Sequence, residues 1–255
     1  VIGGLHELAP AKVNLCLFLG PPRPDGRHEL VTVFQPVTLA DRLVLEPAPL
    51  GSGTDEVICP GVPGPPTANL AVAALRALRA RTGWSGPPVR LTIDKRIPVA
   101  AGMAGGSADA GAALRLGGRA AGVTDDGLLR DIAAGLGADV PAQVRPGRYL
   151  ATGAGEVLRP LADAAPYGVL VLPSRASLAT ADVFAEADRQ GLARDSATLA
   201  ALLHDVEAAL DAGSELPDEL VRNDLEAAAR RLCPAIDEAL SDARRAGAEQ
   251  ALVCG

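Results

Sequence analysis

The chain has 255 residues, enough for one large domain or two modest ones; hydrophobic residues make up 48% and aromatics only 2%, so the core is built from Ala, Val and Leu. Net charge is −7 with no basic block and no basic–aromatic interleaving, which speaks against nucleic-acid binding, and no apolar run reaches the roughly 18–20 residues that span a bilayer. No signal-peptide pattern is present, and Cys16, Cys59, Cys233 and Cys254 form no C-x-x-C pair, as expected of reduced, mostly buried thiols in a cytoplasmic protein.

The pattern predicts strands over Leu5–Ala9 and Val13–Leu19, with Lys12, Asn14, Cys16 and Phe18 on one face. Pro21–Arg27 is a turn carrying an Asp-Gly signal. A β-rich run Leu30–Thr38, a break at Ala40-Asp41 and a strand Arg42–Glu46 follow. The Gly- and Pro-rich segment Pro47–Thr67 is loop around a short strand Val57–Cys59. A helix over Asn69–Arg81, capped by Thr67 or Asn69, leads to a strand Val89–Ile93. Helices are predicted over Ser107–Ala121 and Asp126–Ala134, then a turn Gly137-Ala-Asp139-Val-Pro141 and a hairpin around Gly153-Ala-Gly155. From about Ala162 the expected elements are a strand Gly168–Leu172, helices Thr180–Arg189, Leu199–Ala212, Asn223–Arg231 and Pro234–Ala246, and a strand Ala248–Val253. Runs of strands and of helices argue an α+β fold in two parts.

Two features carry chemistry. Between the strand ending at Ile93 and the helix starting at Ser107, Gly102–Gly106 holds three glycines and no charged side chain. Strand, glycine loop and helix start together present bare amides to a phosphate, and glycine lets the ligand approach the backbone. The loop is neither a Walker A motif nor a G-x-G-x-x-G fingerprint, and by composition alone it also reads as a flexible turn capped by Ser107. Second, Lys12 and Lys95 are the only lysines among 24 basic residues. A chain that otherwise uses Arg is expected to keep Lys where a compact ammonium is needed, and Lys95 beside the loop would also serve as bulk charge. His6, His28 and His204 have no metal-ligand spacing.

Ala11-Lys-Val-Asn-Leu15, Arg23-Pro-Asp-Gly-Arg-His-Glu-Leu30, Asn69-Leu70, Ile93-Asp-Lys-Arg-Ile-Pro98, the glycine loop with Ser107, Gly137-Ala-Asp-Val-Pro141 and Asn223-Asp224 together resemble the GHMP kinases, named for galactose, homoserine, mevalonate and phosphomevalonate kinases. The resemblance covers nearly the whole chain. It implies a two-domain α+β fold: a ribosomal-protein-like N-terminal ATP-binding domain over residues 1–160 and a ferredoxin-like C-terminal domain over 161–255, with the active site in the cleft between them. The family's second glycine motif would begin at Cys254-Gly255, so the resemblance implies that the C-terminal domain is incomplete.

The implied activity is ATP-dependent phosphorylation of an alcohol. The D-G-x-H-E-L segment and the G-A-D-V-P turn narrow the acceptor to the tertiary 2-hydroxyl of a methylerythritol bearing a cytidine diphosphate. Pro98, Val99, Ala100, Ala101, Gly102, Met103, Ala104, Gly105, Gly106, Ser107 and Ala108 match the ATP-phosphate loop, with Ala100 and Ala101 standing where glycines are common and fitting if their φ is negative. Lys12 and Asp139 match the catalytic pair: Asp139 would take the hydroxyl proton and Lys12 would offset charge on the transferring group. Asn14 and Thr180 would lie at the acceptor, and His28 would read the cytosine. Phe184 would stack on the base, with Arg27 at the position of a usual Tyr on its other face. Mg²⁺ is expected with ATP, with Ser107 as the one candidate named for it; no protein metal site is implied, and nothing sets an oligomeric state. Other readings are a homoserine- or mevalonate-type kinase of the same family, or a nucleotide-binding protein without transferase activity.

Overall fold

The structure, a computed structural model, describes residues 4–62, 64–174, 178–211 and 216–254. The chain divides into two compact units, each drawn from separated stretches: 1–12, 36–99 and 104–146 form the first, and 13–35, 100–103 and 147–255 the second.

In the first unit, the C-terminal part of the long strand β2 (His28–Pro47) pairs antiparallel with β4 (Val89–Asp94), Leu43 opposite Ile93 and Leu45 opposite Leu91. β4 in turn pairs parallel with the short β3 (Glu56–Ile58). The alternation Leu43, Leu45 and Leu91, Ile93 puts one buried apolar face on each strand. Helices α1 (Leu70–Thr82), α2 (Gly105–Ala121), α3 (Asp126–Ala134) and α4 (Val140–Val144) complete the unit. Asn69 caps α1 by accepting from the Ala71 N–H, and Gly83 ends it in the left-handed conformation. α2 is made of small residues, and this sets how closely its neighbours approach. A Cβ on Gly111 would sit 2.5 Å from the Gln143 carbonyl oxygen of α4, so only glycine admits that backbone.

In the second unit, the C-terminal part of β1 (Leu5–Pro22) is buried on both faces. Cys16 and Phe18 pack with Val31, Val33 and residues of α6 (Ser196–Asp211), whereas Leu17 and Leu19 pack with α5 (Thr180–Gln190) and α7 (Glu226–Leu232). Burial pushes the Cys16 thiol up to about 12, so it stays an inert thiol. The N-terminal part of β2 pairs with β5 (Tyr149–Thr152), and β5 with β6 (Val157–Pro160), forming the expected hairpin at Gly153–Gly155. Asp224 accepts from the Leu19 N–H at 3.0 Å and from Arg194, and Asn223 accepts from the Leu225 N–H, fixing the entry to α7. Helix α8 (Ala235–Arg245) follows.

Several expectations are corrected. The two strands on each side of Lys12, and the two on each side of Ala40-Asp41, are single strands, because Asp41 turns its carboxylate inward to partners instead of breaking the ladder. The segments Gly168–Leu172 and Ala248–Val253 are not strands. Val169, Leu170 and Leu172 are exposed, with no ladder neighbour among the described residues. The backbone at 251–253 bonds to side chains instead, its Ala251 and Val253 carbonyls accepting from Arg244 and Asn223 and the Val253 N–H donating to Glu226.

Candidate active site

Helix α2 begins at Gly105, two residues earlier than expected, and Ser107 is therefore not its cap. The N-cap is Ala104, in the left-handed conformation at φ 54°, with no side-chain capping bond. The first bond of the helix runs from the Ala108 N–H to the Ala104 carbonyl at 2.8 Å. The amides of Gly105, Gly106 and Ser107 are thus the unsatisfied first-turn donors, at the positive end of a 17-residue helix. A Cβ on Gly106 would meet only Leu70, at 3.7 Å, so this side of the turn is open. Ala100 is left-handed too, at φ 58°, so the condition under which alanine fits without strain is not met there: the loop keeps the backbone that glycine would favour and places alanines in it. Within the second unit's part of the loop, Cys254 Sγ lies 3.7 Å from the Gly102 carbonyl oxygen.

Lys12 and Asp139, 127 positions apart in sequence, meet within the first unit: Nζ and Oδ2 are 3.5 Å apart. Asp139 occupies the N-cap position of α4 but makes no capping bond, so the bland reading of this residue as a helix cap fails. Arg115, on α2 one turn beyond Gly111, bridges the segments that flank the pair. Its part-buried guanidinium donates to the Gln143 carbonyl of α4 and, at 2.7 Å, to the Leu8 carbonyl of β1, with Glu7 alongside at 3.6 Å. One side chain therefore ties the strand carrying Lys12 to the helix carrying Asp139. Burial lowers the Arg115 guanidinium, partly offset by Glu7.

Lys95 is not bulk charge for the loop. Its ammonium donates to Asp41 at 2.5 Å and to Asp109, on the second turn of α2, at 2.8 Å. Asp41 also accepts the Arg96 and Ile97 N–H groups, at 2.5 and 2.9 Å. Asp109 Oδ1 is buried without a partner among the described residues. Burial pushes the Asp109 carboxyl up to about 7 against the pull of Lys95, whereas the two carboxylates outweigh burial and hold the Lys95 ammonium above its ordinary value. Asp109 has a single donor, Lys95, where Asp41 has three.

In the second unit, buried His28 opens β2, and its Nε2 lies 2.8 Å from Asp188 Oδ1 on α5. Phe184, one turn earlier on α5, packs on the imidazole with ring centroids 5.5 Å apart. Thr180 is the exposed first residue of the same helix. Arg27 is held by Asp25 of its own turn through Nε at 3.1 Å and Nη2 at 2.8 Å. Asn14 donates to Thr32 Oγ1 at 2.7 Å, and Thr32 to the Cys16 carbonyl at 2.6 Å, within the strand pair.

The family model for the GHMP kinases N-terminal domain matches residues 69–147, the span from the cap of α1 through α4. A 4-diphosphocytidyl-2-C-methyl-D-erythritol kinase of Kineococcus radiotolerans is 40% identical over 260 residues, covering 97% of this chain and 77% of the relative. The chain belongs to the 4-diphosphocytidyl-2-C-methyl-D-erythritol kinase family of GHMP kinases. The Streptomyces coelicolor member is 42% identical over 262 residues, covering 96% of this chain and 83% of its own. A crystal structure of a 4-(cytidine 5′-diphospho)-2C-methyl-D-erythritol kinase superposes with a TM-score of 0.71 at 34% identity, covering 98% of this chain and 87% of the other. The family shares the α+β architecture described above.

Four residues of these sites escape a reading of motifs. Arg115, Asp41 and Asp109 are polar residues at apolar positions of an element, a signal visible in Ser-Ala-Asp-Ala-Gly but not interpretable without knowing the partner. Asp188 lies four residues after Phe184 on a predicted helix, a spacing that puts both on one face.

Proposed function

We propose that this chain is an ATP-dependent kinase that phosphorylates the 2-hydroxyl of 4-diphosphocytidyl-2-C-methyl-D-erythritol, a step of isoprenoid biosynthesis. Its family membership supports the reaction class and acceptor. The observation that carries the chemistry is the Lys12–Asp139 pair, drawn from distant segments that Arg115 also bridges. In this reading the acceptor oxygen forms a bond to the γ-phosphorus, the bond from that phosphorus to the ADP oxygen breaks, and the hydroxyl proton passes to an Asp139 oxygen. Phosphoryl transfer has a loose transition state, so positioning and charge compensation dominate. Asp139 orients the hydroxyl and accepts its proton; Lys12 opposes charge on the transferring group.

The first-turn amides of α2 are assigned to the phosphates of ATP, for which they suit a close-approaching anion without added bulk. Mg²⁺ would arrive with the nucleotide, held mainly by phosphate oxygens, with the Ser107 hydroxyl as the candidate protein group. It would supply charge neutralisation there. His28 and Phe184 are assigned to the cytosine, Arg27, steadied by Asp25, to the other face of the base, and Asn14 and Thr180 to the acceptor alcohol. The kinase is assigned to the cytoplasm; no helix among the described residues is long and apolar enough to cross a membrane.

Phosphate transfer from ATP to the cytidine conjugate tests the reading directly. Asp139→Asn is expected to lower kcat about 10²–10⁴-fold, the usual size of a lost general base. Lys12→Met is expected to act on kcat in the same direction. An unaffected kcat in both variants, or phosphorylation of homoserine or mevalonate in preference to the cytidine conjugate, refutes it.

A further inference from the structure

We propose that Asp188 is a positioning residue that fixes which hydrogen-bonding face His28 offers a bound base, and thereby selects an amino-bearing pyrimidine over a keto one: cytosine over uracil. This rests on the reading that a base meets His28 and Phe184.

The geometry begins on α5. Phe184 and Asp188 are one helical turn apart and so project from the same face. Both reach the same imidazole: the Phe184 ring lies 5.5 Å away, centroid to centroid, and Asp188 Oδ1 is 2.8 Å from Nε2. An ionised carboxylate only accepts hydrogen bonds, so the hydrogen between these atoms sits on Nε2. In the neutral ring, Nδ1 is then a bare acceptor. Among the described residues the ring makes no hydrogen bond other than that to Asp188. The imidazole is buried while Asp188 is half-exposed, with its side chain 55% accessible, so the carboxylate and not the ring is the part that contacts solvent.

A bare Nδ1 suits a ligand that donates. Cytosine carries an exocyclic amino group; uracil carries a carbonyl oxygen at the same place. With Nδ1 bare, uracil would set two acceptors against each other, each leaving the other unpaired. Sites that match a ligand's hydrogen-bonding group reject analogues lacking it far more strongly than apolar pockets reject a methyl group. Without Asp188 the ring hydrogen moves freely to Nδ1, where it suits a carbonyl, and the basis of rejection goes.

The test uses the whole chain, the cytidine conjugate and its uridine counterpart, and ¹⁵N spectra of the histidine rings. In wild type the His28 spectrum should report a neutral ring with hydrogen on Nε2, and in Asp188→Ala a mixture including hydrogen on Nδ1. Asp188→Ala should raise KM for the cytidine conjugate about tenfold with kcat and KM for ATP within about twofold, and shrink the cytidine-over-uridine ratio of kcat/KM by at least about tenfold. Asp188→Asn, whose amide oxygen accepts from Nε2, should retain most of the selectivity. A wild type that phosphorylates the cytidine conjugate selectively while Asp188→Ala discriminates equally well overturns the role of Asp188 alone. So does a wild-type ring protonated on both nitrogens. A wild type that does not favour the cytidine conjugate over the uridine one overturns the substrate reading and this inference together.

Discussion

Lys12 and Lys95 are buried to a similar degree, with side chains 8% and 12% accessible, and each meets carboxylate within the first unit. The carboxylates differ. Asp41 and Asp109 are sealed, at 0% and 3%, and hold Lys95 at hydrogen-bonding distance. Asp139 is 33% accessible and stands 3.5 Å from Lys12. Two backbone amides fix Asp41, whereas Asp139 sits at a helix start without using its oxygens to cap it. An ammonium between sealed, amide-fixed acids is a structural clamp. An ammonium beside a solvent-reached acid is the one that the proposed reading sets against a substrate.

Substituting the two lysines alike breaks or sharpens this contrast most strongly. Lys95→Met leaves one sealed carboxylate pair without its cation, and loss of one partner from a buried ionic group costs about 3–5 kcal/mol. Lys12→Met leaves Asp139 able to hydrate, so its loss of stability should be smaller than that of Lys95→Met, while activity falls. Urea unfolding midpoints check this. Equal destabilisation by the two variants would show that the clamp and the pair are the same kind of site.

The second test concerns the titration of Asp109 in the clamp. The Asp109 carboxyl ordinarily titrates near 3.8 and is pushed up to about 7 by burial in the folded chain. Between those values the unfolded chain binds fewer protons than the folded one, so this group's stabilisation is complete below about pH 4 and drains away as pH rises through about 7. The offset corresponds to at most about 4 kcal/mol, and sharing with Asp41 reduces it. Asp109→Asn keeps an oxygen for Lys95 and cannot ionise. The stability of the variant relative to wild type should therefore rise as pH increases from 4 to 8. A difference flat across that range would mean Asp109 is ionised in the fold throughout.

The contrast also explains what the sequence discloses. The scarcity of lysine marks both Lys12 and Lys95, but only the first carries a pattern that names its partner: the Gly137–Pro141 turn holds Asp139 and belongs with the glycine loop in one family. The partners of Lys95 are an aspartate that looks like a strand break and another buried in a helix of alanines, and pairing of such distant residues is a property of the fold. Helix spans with clear periodicity, α1, α3 and α5, fall within a residue or two of expectation. The start of α2 does not, because Ser107 is a better capping residue by type than Ala104, and the loop backbone overrides that preference. The two expected strands after residue 160 fail for another reason: an apolar run states what it would bury, not whether a neighbouring strand is present to pair with it.

The smallest effect lies where clamp and loop touch. A Cβ on Gly105 would meet Ile97 Cγ2 at 3.0 Å and Lys95 Nζ at 3.3 Å, so the clamped ammonium presses against the first residue of α2. Gly105→Ala should cost about 1–2 kcal/mol, because Lys95 has no room to yield while held by two acids. Its neighbour Ala104 is strained in the opposite sense, with a methyl group at φ 54°. Ala104→Gly removes a left-handed penalty of roughly 1–2 kcal/mol and adds chain entropy of about 0.5–1 kcal/mol to the unfolded state, for a net gain near 0.5–1 kcal/mol. Adjacent methyl groups, one added and one removed, should therefore shift the thermal midpoint in opposite directions. If Lys95→Met also abolishes the penalty of Gly105→Ala in a double-mutant cycle, the clamp is what holds the loop in place; additive effects would separate the two.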